Sequence, residues 1–170
     1  MMSGFQVTAM PTEIAQQVRA TMRSPQYGHP AHDEKLSEAA PCRHCLRLIR
    51  AGERALLFTY DPFAGEARPL PGPVYIHSEP CERYRNSNEF PTELRGSPRT
   101  LMAYGNERRM IGETLVPANG DFDTALANFA SNSDVRYVHV RSTTAGCFTF
   151  LSERARGRAL DGSAECGTVL

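Results

Sequence analysis

Residues 41–53 read PCRHCLRLIRAGE and place two cysteines, Cys42 and Cys45, two residues apart. A tight turn of this length can aim both sulfurs at one point, as two ligands of a tetrahedral metal ion require. The apolar residues that follow the turn lead into residues 54–60, whose composition predicts a strand. The stretch therefore predicts a turn that presents two thiols and is followed directly by a strand of a sheet.

A second pair of metal-ligating residues lies in HSEPC, at residues 77–81. His77 ends the apolar run VYIH, and Cys81 follows a proline in a turn, so the pattern over both pairs is C-x2-C-x31-H-x3-C. Three thiolates and one imidazole are ligands that zinc prefers, and four protein ligands make a closed, structural site. We therefore predict a structural zinc site at Cys42, Cys45, His77 and Cys81. His44 is an alternative to His77, although its place inside the turn would crowd the geometry.

Two other interpretations of the cysteine pair stay open at this point. Cysteine often behaves as a small buried hydrophobic residue, without any chemistry. A redox-active pair of the thioredoxin kind lies at the start of a helix, after a strand. Here Cys42 and Cys45 follow a proline-containing loop instead, which favours metal binding over redox chemistry.

Hydrophobic periodicity and turn residues predict an α+β fold in a single domain, with two helices and a mostly antiparallel mixed sheet. The predicted helices cover residues 12–22, with an apolar stripe of Ile14, Val18 and Met22, and a segment that begins at Asp121 or Asp123 and runs through 128. The predicted strands cover residues 5–9, 54–60, 73–77, 100–104, 108–116, 135–141 and 147–153, with a loop at 24–41. The domain spans 1–153, contains a zinc-knuckle-like module at 41–82, and precedes a flexible tail at 154–170 that lacks periodicity.

The last predicted hairpin suggests a second cluster of polar residues. Alternation places Val138, Val140, Phe148 and Phe150 on the core face. The other face then carries Tyr137, His139, Arg141, Cys147 and Thr149, with Arg141 opposite Cys147 and His139 opposite Thr149. A thiol beside an arginine and near a histidine is a weak candidate for an activated nucleophile. Cys147, His139 and Arg141 are therefore the candidate catalytic residues of an alternative function, a thiol-dependent enzyme. The sequence carries none of the common enzyme motifs and leans away from catalysis.

The charge of the chain bears on its partners and location. It has 19 basic and 19 acidic residues, which gives no global attraction to nucleic acid or to an anionic membrane. One segment, residues 82–99, interleaves arginines with Tyr84 and Phe90 and supports a second alternative, a nucleic-acid-binding zinc protein. The N-terminus lacks the features of a secretory signal, so we expect a cytoplasmic protein whose thiols stay reduced.

Two resemblances add to these patterns. Residues 42–81 resemble the PARP-type zinc finger, in which two cysteines, an Ile-x-x-Gly exit, a long insertion, a histidine and a cysteine follow in this order. Ile49 and Gly52 stand in the exit, although three residues rather than two separate His77 from Cys81. The stretches PCRHCL, LLFTYDPF, GPVYIH and VHVRSTTAGCFTF resemble a bacterial family known as domain of unknown function 1203. That resemblance spans residues 5–153 and implies a small, soluble, single-domain protein without assigned activity.

These observations together predict a zinc-stabilised module that binds a protein or small-molecule partner.

Overall fold

The computed structural model describes residues 4–63, 69–85 and 88–155. The described residues form ten strands and two α-helices, which follow along the chain as β1 (Phe5–Thr8), α1 (Thr12–Thr21), β2 (His32–Lys35), β3 (Ala40–Pro41), β4 (Leu48–Ile49), β5 (Arg54–Tyr60), β6 (Gly72–His77), β7 (Arg99–Tyr104), β8 (Met110–Val116), α2 (Phe122–Ser131), β9 (Tyr137–Ser142) and β10 (Phe148–Arg154). Two short 3-10 helices, Thr92–Leu94 and Asn106–Arg108, lie in the connections.

The strands form three antiparallel sheets. The largest has the order β1-β10-β9-β7-β8, the second has the order β2-β5-β6, and β3 pairs with β4 alone. The predicted α+β class, with two helices and antiparallel strands, is confirmed, although the strands divide among three sheets instead of sharing one. A parallel bridge between Cys42 and Tyr75 joins the β3–β4 turn to the second sheet.

Two hydrophobic cores lie on different parts of these sheets. In the first core, α2 packs on the five-stranded sheet, with Phe122 and Leu126 buried against Val140 and Phe150. The second core lies between α1 and the three-stranded sheet; its buried residues include Ala15, Val18, Cys42, Cys45, Ile49, Leu56 and Ile76. The predicted metal ligands Cys42 and Cys45 are therefore part of a packed core and not of a surface loop.

The helices begin where the sequence predicts but differ in detail. Asp121 caps α2, because its carboxylate accepts a hydrogen bond from the Thr124 N–H at 3.0 Å. Asp123, the other predicted cap, lies inside the first turn. Helix α1 ends one residue before Met22, which adopts a left-handed conformation with φ of 53°. Met22 therefore turns to the surface, and Ala15 joins Val18 on the buried face in its place.

The predicted loop at residues 24–41 contains β2 and β3. Strand β2 reads HDEK and pairs with β5, from His32 opposite Leu57 to Lys35 opposite Arg54. It lies at the edge of its sheet, where charged side chains are common because they discourage pairing with another chain. Such a strand has no apolar alternation, so the sequence pattern could not reveal it.

The register of the last hairpin differs from the prediction. Arg141 lies opposite Phe148 and His139 opposite Leu151, with an irregularity between Phe148 and Phe150. The predicted pairs, Arg141 with Cys147 and His139 with Thr149, are therefore wrong. One extra residue in β10 shifts the alternation, as in a β-bulge. As a result Phe148 is not on the predicted face, since its ring lies 4.9 Å from the His139 ring.

The last strand reaches the first residue of the predicted tail. Strand β10 continues through Arg154, which pairs with Phe5 and donates from Nε to the Ala130 carbonyl at 2.8 Å. Residues 156–170 of the predicted flexible tail lie outside the described residues, so the tail stays a prediction. In the described part of the chain, no helix combines the length and the apolar character that a bilayer crossing requires.

The bulge at Thr149 generates a prediction about stability. Its hydroxyl oxygen is buried and has no hydrogen-bond partner among the described residues. Because an unpaired buried polar group destabilises a fold, Thr149→Val should raise the free energy of unfolding by about 1 kcal/mol. Urea denaturation followed by circular dichroism measures the change. Thr149→Ser, which keeps the hydroxyl and loses the methyl group, should lower stability; equal effects of the two substitutions would contradict the prediction.

Candidate metal centre

The turn that carries the first two cysteines is held by its own backbone. Its arms, β3 and β4, pair Ala40 with Ile49 and Pro41 with Leu48. Within the turn, the Cys42 N–H donates to the Arg47 carbonyl and the Leu46 N–H donates to the Cys42 carbonyl, both at 2.9 Å. Leu46 adopts a left-handed conformation, with φ of 54°, so that the chain can close the turn. These contacts hold both thiols on one side of the turn.

Strand β6 brings the second ligand pair to this turn. The Arg43 N–H donates to the Tyr75 carbonyl at 3.0 Å, beside the bridge between Cys42 and Tyr75. Two residues further along β6, the His77 N–H points at Cys42 Sγ, 3.4 Å away. The end of β6 therefore places His77 beside Cys42, and the loop after β6 places Cys81 beside Cys42 as well.

One ligand atom from each of Cys42, Cys45, His77 and Cys81 lies within 4.8 Å of all the others. The Cys42 and Cys81 sulfurs are 3.8 Å apart, and Cys45 Sγ is 3.5 Å from His77 Nδ1. In a tetrahedron with zinc bond lengths, two sulfurs are about 3.8 Å apart and a sulfur and a nitrogen about 3.6 Å apart. The four residues that the spacing predicts therefore meet at separations that suit a tetrahedral metal ion.

A carboxylate lies near the far side of the histidine of the cluster. His77 Nε2 lies 4.0 Å from Glu53 Oε2, which itself accepts the Arg50 N–H at 2.6 Å. The 4.0 Å separation is beyond hydrogen-bonding range, so Glu53 is an electrostatic neighbour of the ring. Nδ1, which lies 3.5 Å from Cys45 Sγ, is the nitrogen that faces the cluster. The sequence pattern did not indicate that Glu53 lies near His77. Its position directly after Gly52, in the predicted exit of the turn, is the one sequence feature that places it close to the cluster.

Polar groups also surround the sulfur of Cys81. Arg19 donates to it from Nη2 at 3.3 Å, and His44 Nδ1 lies 3.2 Å from it. The other His44 nitrogen contacts Thr12 Oγ1 at 3.0 Å. His44, the alternative ligand, therefore lies beside the four-residue cluster and contacts one of its members. Arg19 brings a positive charge to a set that carries net negative charge once three thiolates bind a divalent ion.

Protonation couples the members of the cluster. Hydrogen bonds from Cys45 and Cys81 hold the pKa of the Cys42 thiol well below its usual range, and the same sharing raises the pKa of Cys45. Hydrogen bonds with Cys42 and Cys81 raise the pKa of His77 to about 10. Without a metal ion the cluster therefore keeps protons on its thiols and on the imidazole. These groups bind a metal ion as thiolates and as a neutral ring, so metal binding would release protons.

The second polar cluster of the sequence is only partly assembled. His139 and Arg141 are buried together, with Arg141 Nη2 donating to His139 Nδ1 at 3.1 Å. Cys147 is half-buried, and its thiol contacts the Ala145 carbonyl at 3.7 Å. Among the described residues, no hydrogen bond joins this thiol to either His139 or Arg141. Burial, with Arg141 and Arg108 nearby, lowers the pKa of His139 to about 3.

Most of the arginines in residues 82–99 have partners within the fold. Arg83 donates to the Ala9 and Met10 carbonyls, and Arg95 forms an ion pair with Asp123 at 2.5 Å. Arg99 is buried near the Leu94 carbonyl. The exposed Arg85 pairs with Glu82, and Phe90 is buried in the first core. The surface charge that this segment offers to a phosphate is therefore small.

Comparison with known proteins identifies one family. A family model described as protein of unknown function (DUF1203) matches residues 39–154. The matched region includes all four residues of the metal cluster as well as His139, Arg141 and Cys147. No curated protein and no solved structure matches the chain.

The buried imidazole of His139 generates a prediction about pH. Histidine in an unfolded chain has a pKa of about 6.5, and His139 has a pKa of about 3 in the fold. Between these values the unfolded chain binds more protons, so stability falls with falling pH, by up to about 1.4 kcal/mol per pH unit. His139→Gln lacks this titration. From pH 6.5 to 4.5 the wild type should lose roughly 2–3 kcal/mol more than the variant, measured by urea denaturation. If the wild type and His139→Gln lost the same free energy of unfolding over this pH range, His139 would not be buried as a neutral ring.

Proposed function

Because the chain belongs to the DUF1203 family, whose description assigns no activity, we propose its function from the site itself. The protein is a zinc-stabilised binding module, in which Cys42, Cys45, His77 and Cys81 hold one structural Zn²⁺. The observation that carries this proposal is the meeting of three sulfurs and one imidazole nitrogen within 4.8 Å.

The types of ligand favour zinc over other common ions. Calcium and magnesium select oxygen ligands, whereas this cluster offers sulfur and nitrogen. Zinc accepts mixed thiolate and imidazole sets in tetrahedral geometry. The carboxylate of Glu53 and the cationic Arg19 on Cys81 are neighbours that such a site uses to fix its ligands and balance its charge.

The number of protein ligands favours a structural role. With four side chains on the metal, no position is left for a water molecule or a substrate. The metal would join the turn after β3, the end of β6 and the loop that carries Cys81. These segments pack against α1 through Arg19, which also donates to the His77 carbonyl at 3.0 Å. The ion would therefore hold together elements that are distant in the sequence.

The surface beside the cluster supports a binding role. Two open grooves of about 360 and 420 Å³ adjoin it and share Cys45, Arg47, Glu82 and Glu93 in their walls. Cys45, His77 and Cys81 line the larger groove, so metal binding would fix its shape. Both grooves are lined by arginine and glutamate residues, which suits a polar segment of a protein or a polar small molecule.

Metal content tests the proposal directly. Protein purified without a histidine tag should contain one zinc ion per chain by elemental analysis. Cys42→Ser should lose the ion, because it removes the most buried ligand. A metal present at about 1,000 times its Kd stabilises the fold by about 4 kcal/mol, so the melting temperature should fall by on the order of 10 °C. Cys147→Ser, outside the cluster, is the matched control and should keep both metal and stability. The proposal would be overturned if the purified wild-type protein contained no metal and its melting temperature were the same with and without chelator.

The carboxylate behind His77 provides a finer test. Glu53→Gln should weaken zinc binding by up to about 10-fold while leaving one ion per chain, because the ring of His77 loses the carboxylate that lies 4.0 Å from Nε2. Competition with a chromophoric chelator measures the affinity. Glu113→Gln, an exposed residue of β8, is the control and should bind zinc like the wild type. Equal affinities of the two variants would mean that Glu53 plays no part in holding the ligand.

Two simple observations separate the binding module from the alternatives. Retention on heparin that falls steeply with salt would favour nucleic-acid binding instead. Rapid and selective alkylation of Cys147 at neutral pH would favour the thiol-dependent enzyme.

A further inference from the structure

We propose that a second site, a cavity between the five-stranded sheet and the segment that joins β1 to α1, binds a small carboxylate with an apolar body. The cavity has a volume of about 150 Å³. Its lining residues are Thr8, Ala9, Met10, Pro11, Tyr60, Pro62, His139, Phe148 and Leu151. None of the four metal-cluster residues lines it, so the site stands independently of the zinc proposal.

The lining residues favour a ligand with an apolar body. Phe148, Leu151, Met10 and the two prolines present mostly apolar surface. An apolar cavity of about 150 Å³ is large enough for a benzene ring. A planar ring or a short branched chain therefore fits the cavity. The lining residues that carry polar side-chain atoms are Thr8, Tyr60 and His139, and His139 is the one of these whose ring can donate to the polar end group of an anion from a buried position.

The hydrogen bond between Arg141 and His139 fixes which atom meets the ligand. A guanidinium group can only donate, so His139 Nδ1, which lies 3.1 Å from Arg141 Nη2, must be the acceptor. The proton of the neutral ring is then on Nε2, which can donate. Among the described residues, no hydrogen bond uses Nε2. His139 is 1% exposed and lines the cavity, so in this proposal Nε2 donates to the ligand.

The buried positive charges near the cavity favour an anionic ligand. Arg43 and Arg141 are both buried, and neither has an ion-pair partner among the described residues. Arg43 donates to the Phe148 and Pro41 carbonyls, and Arg141 donates to the Gly146 carbonyl. Arg141 Nε is buried and has no acceptor within the described part of the chain. A buried guanidinium with an unpaired N–H group destabilises the fold, and an anion in the neighbouring cavity would offset that cost for Arg141.

A buried carboxylate beside the cavity forms no ion pair with these arginines. Asp61 accepts the N–H groups of Phe63 and Leu70 through Oδ1 and the Tyr27 hydroxyl through Oδ2. Its oxygens therefore hold its own loop and accept no hydrogen bond from Arg43 or Arg141. A monocarboxylate combines the missing charge with an acceptor for His139 Nε2–H, and its apolar body matches the walls. A phosphate or a sugar would leave its polar groups unpaired against them.

Sodium benzoate and its uncharged analogue benzamide test the proposal on the full chain. In a titration followed by two-dimensional NMR, benzoate should shift the amide signals of residues 8–10, 60–61 and 148–151. Benzamide should bind at least about tenfold more weakly, because it lacks the charge that strengthens the hydrogen bond. Equal affinity for the two probes, no binding of benzoate, or shifts confined to other regions would overturn the proposal.

Two variants tie the binding to the cavity. Leu151→Phe fills the cavity and should abolish benzoate binding, whereas Leu115→Phe, at an exposed position of β8, should bind like the wild type. His139→Leu, which removes the donor, should weaken benzoate more than benzamide. If Leu151→Phe fails to fold, the His139→Leu comparison decides instead. Benzoate binding that survives these cavity substitutions would refute the assignment.

Discussion

The structure around the metal centre depends on a short backbone contact between two segments that are far apart in the chain. Cys42 forms a parallel bridge with Tyr75, and the neighbouring Arg43 N–H donates to the Tyr75 carbonyl. Because His77 is two residues further along β6, its side chain leaves the strand on the same face as that of Tyr75. The bridge therefore sets the distance between the two ligand pairs, and the loop to Cys81 only has to complete the set.

Without a metal ion, this crowding of ionisable groups is energetically unfavourable. Three thiols and an imidazole share a small, largely buried volume, and only some of them can ionise at once because like charges repel. A divalent cation turns the same crowding into attraction, since each thiolate then faces a positive centre. If the proposed ion binds, folding and metal binding are linked, and the free energy of metal binding becomes free energy of folding. Cys42 and Cys45 also belong to the second hydrophobic core, so loss of the ion would reach beyond the turn.

The sequence predicted the features that depend on local spacing. The C-x2-C turn, the strand ending at His77, the two helices and the antiparallel hairpins all follow from short-range patterns and agree with the structure. Features that depend on neighbours in space were missed. Strand β2 is polar because it lies at a sheet edge, and Thr149 is the extra residue that reverses the alternation of β10. The contacts of Glu53, Arg19 and His44 with the cluster arise only when distant segments pack together.

Arg43 connects the metal centre to the cavity beneath the five-stranded sheet. It lies between the cysteines of the turn, its carbonyl accepts the Met10 N–H at 2.9 Å, and its guanidinium donates to the Phe148 carbonyl at 2.8 Å. Met10 and Phe148 both line the cavity. The backbone that aims the thiols therefore also positions one wall of the cavity and one of its buried charges. An arginine suits this place because its long, forked guanidinium can donate to carbonyl groups of two different sheets at once.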